Sequence, residues 1–474
     1  MRPLHRGLFD DHSEALTLWK EAGLSGLTCL HVDAHLDVMA DGFDPATLDG
    51  VAQARGALDL NPLKGQPELP WGGLHCGNFL YPALLDGTVT TLIWVLPPQL
   101  LQPAPAGLLA AVLKELRTWV DPTFEEYGSF VQEDGRVEGT LLGRRLVVCT
   151  SDSLPDLSGV DREKLALDID VDYFVRLEDD RMWQTPHALR DRLEGLEPVA
   201  LTVATSCQGG YTPLSQRYLG KLCLELFSGS AEAWRGEMLA VAQAEEGGGE
   251  EEWEALLELV PPAWRPSLLS RLGRHEEAAA GDPAHRPDPL NQAARLLQQQ
   301  RREEALELLD QLEGAEASRL ILAASVDPAL GSEQAERWEE FLARDDLSGP
   351  EQVRLWMALA NHCLEQGQAR RAVSWLKQVV DLRPDFLEGQ RRLAQALLAA
   401  GQTGPAGRVL RKALELSRGR LSSLPVLLES WRMHQYQGQE ALARVAFHEL
   451  KRCDPTGEFA GIAQLERSVW RRPT

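Results

Sequence analysis

Leu30-His31-Val32-Asp33-Ala34-His35-Leu36-Asp37 is a short apolar run carrying two aspartates and a histidine at alternate positions. It reads as a buried strand ending in a loop. In an extended backbone, residues i, i+2 and i+4 project to one side. Asp33, His35 and Asp37 are therefore expected to converge, with His31 read as a structural residue pointing away from them. Such a group is costly to bury without a cation, and mixed carboxylate and imidazole donors suit manganese, iron or zinc. A second run, Leu165-Ala166-Leu167-Asp168-Ile169-Asp170-Val171-Asp172-Tyr173-Phe174, repeats the pattern. Three like charges on one face of a buried strand are unfavourable, and two such strands in one domain favour a shared metal centre. Upstream, Phe9-Asp10-Asp11-His12-Ser13-Glu14-Ala15-Leu16 reads as a loop entering a helix capped by Asp11 or Ser13, with His12 at its mouth.

Asp-His-Ser, then Asp-Ala-His-x-Asp, then a late Asp-x-Asp on a strand resembles the pattern of the ureohydrolases, the superfamily of arginase, agmatinase and formiminoglutamase. The triple Asp ending in Tyr-Phe is closer to a smaller branch that includes the peptide arginases, which convert arginine side chains of peptides to ornithine. The resemblance covers roughly residues 1–220. It implies a three-layer arginase-like α/β fold and two manganese ions, with zinc or iron as substitutes. It also implies the ligands: His12, Asp33, Asp37 and Asp168 for one ion, and His35, Asp33, Asp168 and Asp170 for the other, with Asp33 and Asp168 bridging. Asp172 has no counterpart among arginase ligands and is a candidate for supporting the ligands or facing substrate.

The chemistry implied is hydrolysis of a C–N bond, releasing urea from a guanidinium. Two ions about 3.5–4 Å apart lower the pKa of a shared water to near neutrality, and the leaving amine needs a proton. Asp37 is counted with the catalytic residues. His75, in Trp71-Gly72-Gly73-Leu74-His75-Cys76-Gly77-Asn78-Phe79, resembles the histidine of the arginase His-Gly loop and is the candidate proton shuttle. The other reading is a loop histidine packed on Trp71. Asn78 is a candidate for holding substrate or backbone polar groups. Arginases place a glutamate after a late strand to pair with the guanidinium, but Leu201–Pro213 contains no acid. Gln208 could hydrogen-bond a guanidinium there, and Asp172 could supply the missing charge. The same broad fold hosts zinc deacetylases, so an acyl amide is the alternative substrate.

A chain of 474 residues exceeds one ordinary core and predicts two or more domains. The formal net charge of −23 argues against nucleic acid or an anionic membrane as main partner and suits a cationic substrate. Seven cysteines without paired spacing suggest a reducing compartment. Met1-Arg2-Pro3-Leu4-His5-Arg6 lacks the apolar core of a signal peptide, and no run approaches membrane-spanning length, so a cytoplasmic protein is expected.

Residues 1–240 alternate short apolar runs (Leu27–Val32, Thr91–Leu96, Arg145–Cys149, Leu165–Asp170, Val199–Ala204) with helical stretches at 105–119 and 214–226. This predicts an α/β catalytic domain with a mostly parallel sheet. Residues 241–289 read as a helical connector and linker. From 290 to 474 the pattern becomes an all-α solenoid. Trp356, Leu359, Ala360, Gly367, Ala372, Leu376 and Pro384 resemble a tetratricopeptide repeat, with a period of about 34 residues. Gln390, Leu393, Ala394, Gly401, Ala406 and Leu410 follow one period on. Trp431, Gly438, Ala443, Phe447 and Pro455 form a copy shifted by three residues, and Ala293, Leu296, Ala305 and Leu309 a degenerate one. Such a solenoid offers a groove for a peptide or protein. The alternative is a repeat scaffold joined to an inert first domain.

Overall fold

In the computed structural model the described residues are 4–40, 43–65, 73–101, 107–176, 178–208, 211–229, 232–310, 339–340, 342 and 347–470. They fall into two compact units. The first runs from residue 4 to 310, leaving out Leu116–Gly128; the second holds Leu116–Gly128 and 339–470.

The first unit is built on an eight-stranded sheet: β1 (His5–Phe9), β2 (Leu27–Val32), β3 (Val89–Val95), β4 (Val131–Glu133), β5 (Arg136–Leu141), β6 (Arg144–Cys149), β7 (Leu165–Asp170) and β8 (Ala200–Ala204). Their order is β1-β8-β7-β2-β3-β6-β5-β4. The six strands from β1 to β6 in that order pair in parallel, while β5 and β4 extend the sheet antiparallel. The mostly parallel sheet matches the expectation. The β4–β5 hairpin and edge strand β1 escaped the sequence reading, because their half-exposed residues form no apolar run. Every residue of β7 and β8 is buried. In a parallel sheet, strands buried along their whole length are covered on both faces.

The expected linker is part of this core. Trp253, Leu256, Val260, Trp264 and Leu268 pack in one cluster with β-strand residues such as Leu167, Ile169 and Val203. Residues 277–290 were read as linker from their Ala, Pro and Asp content. They instead contain the end of the helix His275–Gly281 and a short turn whose His285 is buried against the Ser267 hydroxyl at 2.8 Å. Two tryptophans supply enough apolar area to hold a polar-looking segment down.

The second unit is a set of helical hairpins: Gly349–Glu365 with Ala369–Leu382, Leu387–Ala399 with Thr403–Leu416, and Ser423–Tyr436 with Glu440–Cys453, followed by Glu458–Trp470. Gly367, Gly401 and Gly438 each turn a hairpin with φ of +69°, +74° and +66°, which a residue without Cβ adopts freely. Ala360, Ala372, Ala394, Ala406 and Ala443 are fully buried, where small side chains let helices approach. Leu116–Gly128 folds with these helices. The Asp121 carboxylate accepts the N–H and O–H of Ser422, both at 2.7 Å, and Arg420 donates to the Asp121 carbonyl at 3.0 Å. The degenerate hairpin, Pro289–Gln298 with Arg302–Asp310, belongs to the first unit. Among the described residues no helix is long and apolar enough to cross a membrane.

Candidate metal centre

The candidate residues gather where β2 and β7 end. Parallel register sets His31 beside Asp168, and Asp168 beside Thr202 of β8. A row of polar side chains thus crosses three buried strands. His31 Nδ1 donates to Asp168 Oδ2 at 2.8 Å, and the Thr202 hydroxyl donates to Asp168 Oδ1. His31 therefore belongs to the cluster, correcting the expectation that it points away. Its parity with Asp33 was the overlooked signal. Both His31 nitrogens face acceptors that carry no proton, Asp168 Oδ2 and the His35 carbonyl at 3.1 Å. Burial opposes a charge on the ring, yet Asp33 and Asp168 hold His31 above the ordinary range.

β2 stops at Val32, so Asp33, His35 and Asp37 converge through a loop rather than by strand alternation. Asp33 is pinned by Trp94, whose Nε1–H donates to its carbonyl at 2.9 Å. Asp37 has φ of +54°, and Ser206, whose hydroxyl donates to Asp170, has φ of +48°. Two non-glycine residues in the left-handed region flank this one cluster, a backbone conformation that costs energy.

His12, in the loop after β1, is the centre of the cluster. Its Nε2 lies 3.0 Å from Asp168 Oδ2. Its Nδ1 lies 3.1 Å from Oδ2 of each of Asp33, Asp37 and Asp170. Yet His12 Nδ1 and Asp33 Oδ2 are buried with no hydrogen-bond partner. One nitrogen and three carboxylate oxygens converge without bonding one another. Around a divalent cation with bonds of about 2.1 Å, adjacent donors are separated by about 3 Å, which is the spacing between His12 Nδ1 and each of these oxygens. Asp168 is engaged by His12, His31 and Thr202. These contacts fix the orientation of the His12 ring.

A second group shares Asp33. Asp33, His35 and Asp172 offer ligand atoms within 4.8 Å of one another, as do His12, His31 and Asp33. His35 Nδ1 is 2.8 Å from Asp172 Oδ2, and the His35 side chain is 37% exposed, the open edge of an otherwise buried cluster. Tyr211 packs on its ring at 4.7 Å. Asp172 also accepts the Ala34 N–H at 3.2 Å, so it stands within the cluster.

Charge balance supports a cation. Five aspartates (33, 37, 168, 170, 172) meet three histidines (12, 31, 35). With every ring protonated, two negative charges remain. Burial would raise Asp33 and Asp168, but the histidines outweigh it and hold both well below the usual carboxylate range. Burial, reinforced by Asp33, pushes Asp37 up to about 6. Burial, with Asp170 and Asp33, pushes Asp172 up too. These two carboxyls are where protons go when no cation balances the site.

The remaining candidates stand apart from these oxygens. Asn78 is fully buried and braces its own loop: its Oδ1 accepts the His75 N–H and its Nδ2 donates to the Gly73 carbonyl, both at 2.9 Å. His75 is buried, its Nδ1 accepts the Gly77 N–H at 3.2 Å, and burial pushes it down to about 4. It is a neutral imidazole with no hydrogen bond to the cluster among the described residues. Trp71 lies outside the described residues. Gln208 is exposed, and its backbone N–H donates to Asp10 at 2.8 Å. Phe79 was not foreseen; its ring packs on His12 at 4.8 Å. Nor was Glu115, half-buried at the end of the helix Gly107–Glu115. Burial pushes its carboxyl up, and His35 is the largest opposing influence.

No protein-family model and no curated protein matches the chain. Solved structures similar to it include YrrB, a TPR protein with an unusual peptide-binding site, at 17% identity, covering 40% of this chain and 97% of that one with a TM-score of 0.31. A Podospora anserina putative kinesin light chain with nearly identical TPR-like repeats shares 22% identity over 46% of this chain and 94% of that one, TM-score 0.22. Pseudomonas aeruginosa pilF shares 16% identity over 48% and 95%, TM-score 0.22.

Proposed function

We propose that the first unit is a divalent-metal hydrolase of the ureohydrolase type. It would cleave a C–N bond, with the guanidinium of a peptidyl arginine as substrate and urea and ornithine as products. The convergence of His12 Nδ1 with three carboxylate oxygens, all unbonded to it at 3.1 Å, carries this reading. His12, Asp33, Asp37 and Asp170 would hold one cation, and Asp33, His35 and Asp172 would contribute to a second. When bound, such a pair supplies a nucleophile at neutral pH by lowering the pKa of a water that both share.

The chain's own groups supply the rest. Asp168, His31 and Thr202 fix the His12 ring so that Nδ1 points among the carboxylates. His35, partly exposed beside Asp172, would mark the side from which a substrate reaches the site. The second unit would hold a peptide or protein, and the fusion suits a substrate that is part of a polypeptide.

The test is metal analysis of the purified protein combined with urea release from free arginine, agmatine and arginyl peptides. Manganese near stoichiometry and urea from arginyl peptides, both lost in His12→Ala, are expected. Trace metal and no urea would sink the proposal. The Leu201–Pro213 stretch, which lacks an acid, favours a second reading, an acyl amide substrate. Acetate from acetyl-lysine without urea would select it.

A further inference from the structure

Asp10 lies one residue past β1 and two before His12, and its carboxylate is not one of the three that meet His12 Nδ1. It holds the loop after β8 instead. Oδ1 accepts the Thr205 hydroxyl at 2.6 Å and an N–H of Arg217, and Oδ2 accepts the Gln208 backbone N–H at 2.8 Å. The Asp10 carbonyl accepts the Ser206 N–H at 3.1 Å. One residue thus fastens Thr205, Ser206 and Gln208 to the loop that carries His12.

The fastened loop touches both groups of the candidate centre. The Ser206 hydroxyl donates to Asp170 Oδ2, the oxygen that lies 3.1 Å from His12 Nδ1. Tyr211 packs on the His35 ring at 4.7 Å. Ser206 reaches Asp170 from a left-handed backbone, φ +48°, which persists only where the surroundings hold it. The Asp10 carbonyl on its N–H and the Thr212 N–H on its carbonyl, at 3.2 Å, hold it from either side. Strand pairing stops short of it, since the β1–β8 register ends at Phe9 opposite Ala204.

We infer that Asp10 is a positioning residue of the metal centre, acting through Ser206 to set Asp170 Oδ2 toward His12 Nδ1. The part played by a cation rests on the functional reading above. The position calls for a carboxylate because three donors converge on its two oxygens. In an asparagine, whichever way the amide turns, its NH2 faces either the Gln208 N–H or the Arg217 guanidinium.

Manganese titration of the full-length protein by calorimetry, with the visible spectrum of the cobalt-loaded protein as second readout, tests it. Asp10→Asn should weaken manganese binding about tenfold and change the cobalt spectrum. Ser206→Ala should do the same, and the double variant should lose no more than the worse single, because both losses pass through Asp170. Ser267→Ala, which removes a contact to His285 elsewhere in the first unit, controls for destabilisation: it should lower the melting temperature and keep the wild-type affinity and spectrum. Wild-type affinity in Asp10→Asn, losses that add in the double variant, or an equal loss in Ser267→Ala would each overturn the inference. Should Asp10→Asn not fold, Arg217→Gln, which removes one donor and leaves the other bonds, should shift affinity and spectrum the same way by less; wild-type values there would overturn it too. The functional reading fails separately. Manganese bound by the wild type and weakened in Asp10→Asn, with no urea released, refutes the hydrolase and leaves the role of Asp10 standing. A wild type that binds no manganese refutes both.

Discussion

At the ends of β2 and β7 five aspartates and two histidines are buried together. In the repeat hairpins the sealed positions at the helix crossings are Ala360, Ala372, Ala394, Ala406 and Ala443. At those crossings the repeats bury side chains that cost nothing to dehydrate, and the packing there follows from side-chain size. The sheet buries charges whose desolvation works against folding, and the surrounding elements exist in part to tolerate them. Trp94 pins the Asp33 carbonyl, Thr202 and Ser206 spend hydroxyls on Asp168 and Asp170, and Asp37 and Ser206 accept left-handed backbone. Buried charge is concentrated in one cluster of the first unit and scattered singly in the second, at Glu429 and Asp454, which is why the proposed chemistry is assigned to the first.

The most severe challenge to this contrast is removal of a converging donor. His12→Ala or Asp170→Asn should lower divalent-metal affinity at least about a hundredfold by isothermal titration and abolish hydrolysis, without unfolding the repeats. If manganese binding is unchanged, the cluster is a structural charge network. Next, Ala406→Leu should destabilise the second unit by about 1–3 kcal/mol in denaturant melts through overpacking, and metal binding should not change. A loss of metal affinity there would erase the independence of the two units.

A smaller effect separates buried neutral histidines from the cluster. Burial pushes His75 and His285 down to about 4, against an ordinary value of about 6.5. Unfolded chains take up these protons near 6.5 while the folded first unit resists, so the stability they contribute is present above 6.5 and is lost as pH falls toward 4. His285→Gln should flatten the pH dependence of the first unit's melting temperature in that window; an unchanged slope would show that His285 has no part in it. Smallest is Gln300→Gly. Gln300 turns the degenerate hairpin with φ of +60°, where Gly367 and Gly401 serve the second unit. The replacement should stabilise by about 0.5–1 kcal/mol, measured by chemical denaturation. Destabilisation would mean that the Gln300 side chain makes a contact that matters more than its backbone.

Much of the architecture was legible because it rests on short-range pattern. The β2, β3, β6, β7 and β8 runs are continuous apolar stretches, and the repeats announce themselves through Gly367, Gly401 and the alanines around them. The antiparallel hairpin Val131–Leu141 was not legible, because half-exposed strands alternate weakly. The packed segment 277–290 was not legible either, since its polar composition conceals the burial of His285 against Ser267. In the cluster, parity alone already placed His31 beside Asp33. Glu115 and Phe79 carried no motif at all.

What the sequence determined by itself is a set of residue types: acids and histidines at alternate positions on apolar strands, and small residues at a fixed period on helices. Backbone periodicity makes those local facts. Which nitrogen meets which carboxylate was decided only by the tertiary structure. Parallel register sets His31, Asp168 and Thr202 in one row, and two left-handed residues turn Asp37 and Ser206 inward. His31 and Asp168 lie 137 positions apart and Asp168 and Thr202 34, and no local pattern encodes either contact. The same holds for Asp10 and Gln208, 198 positions apart and joined only by folding.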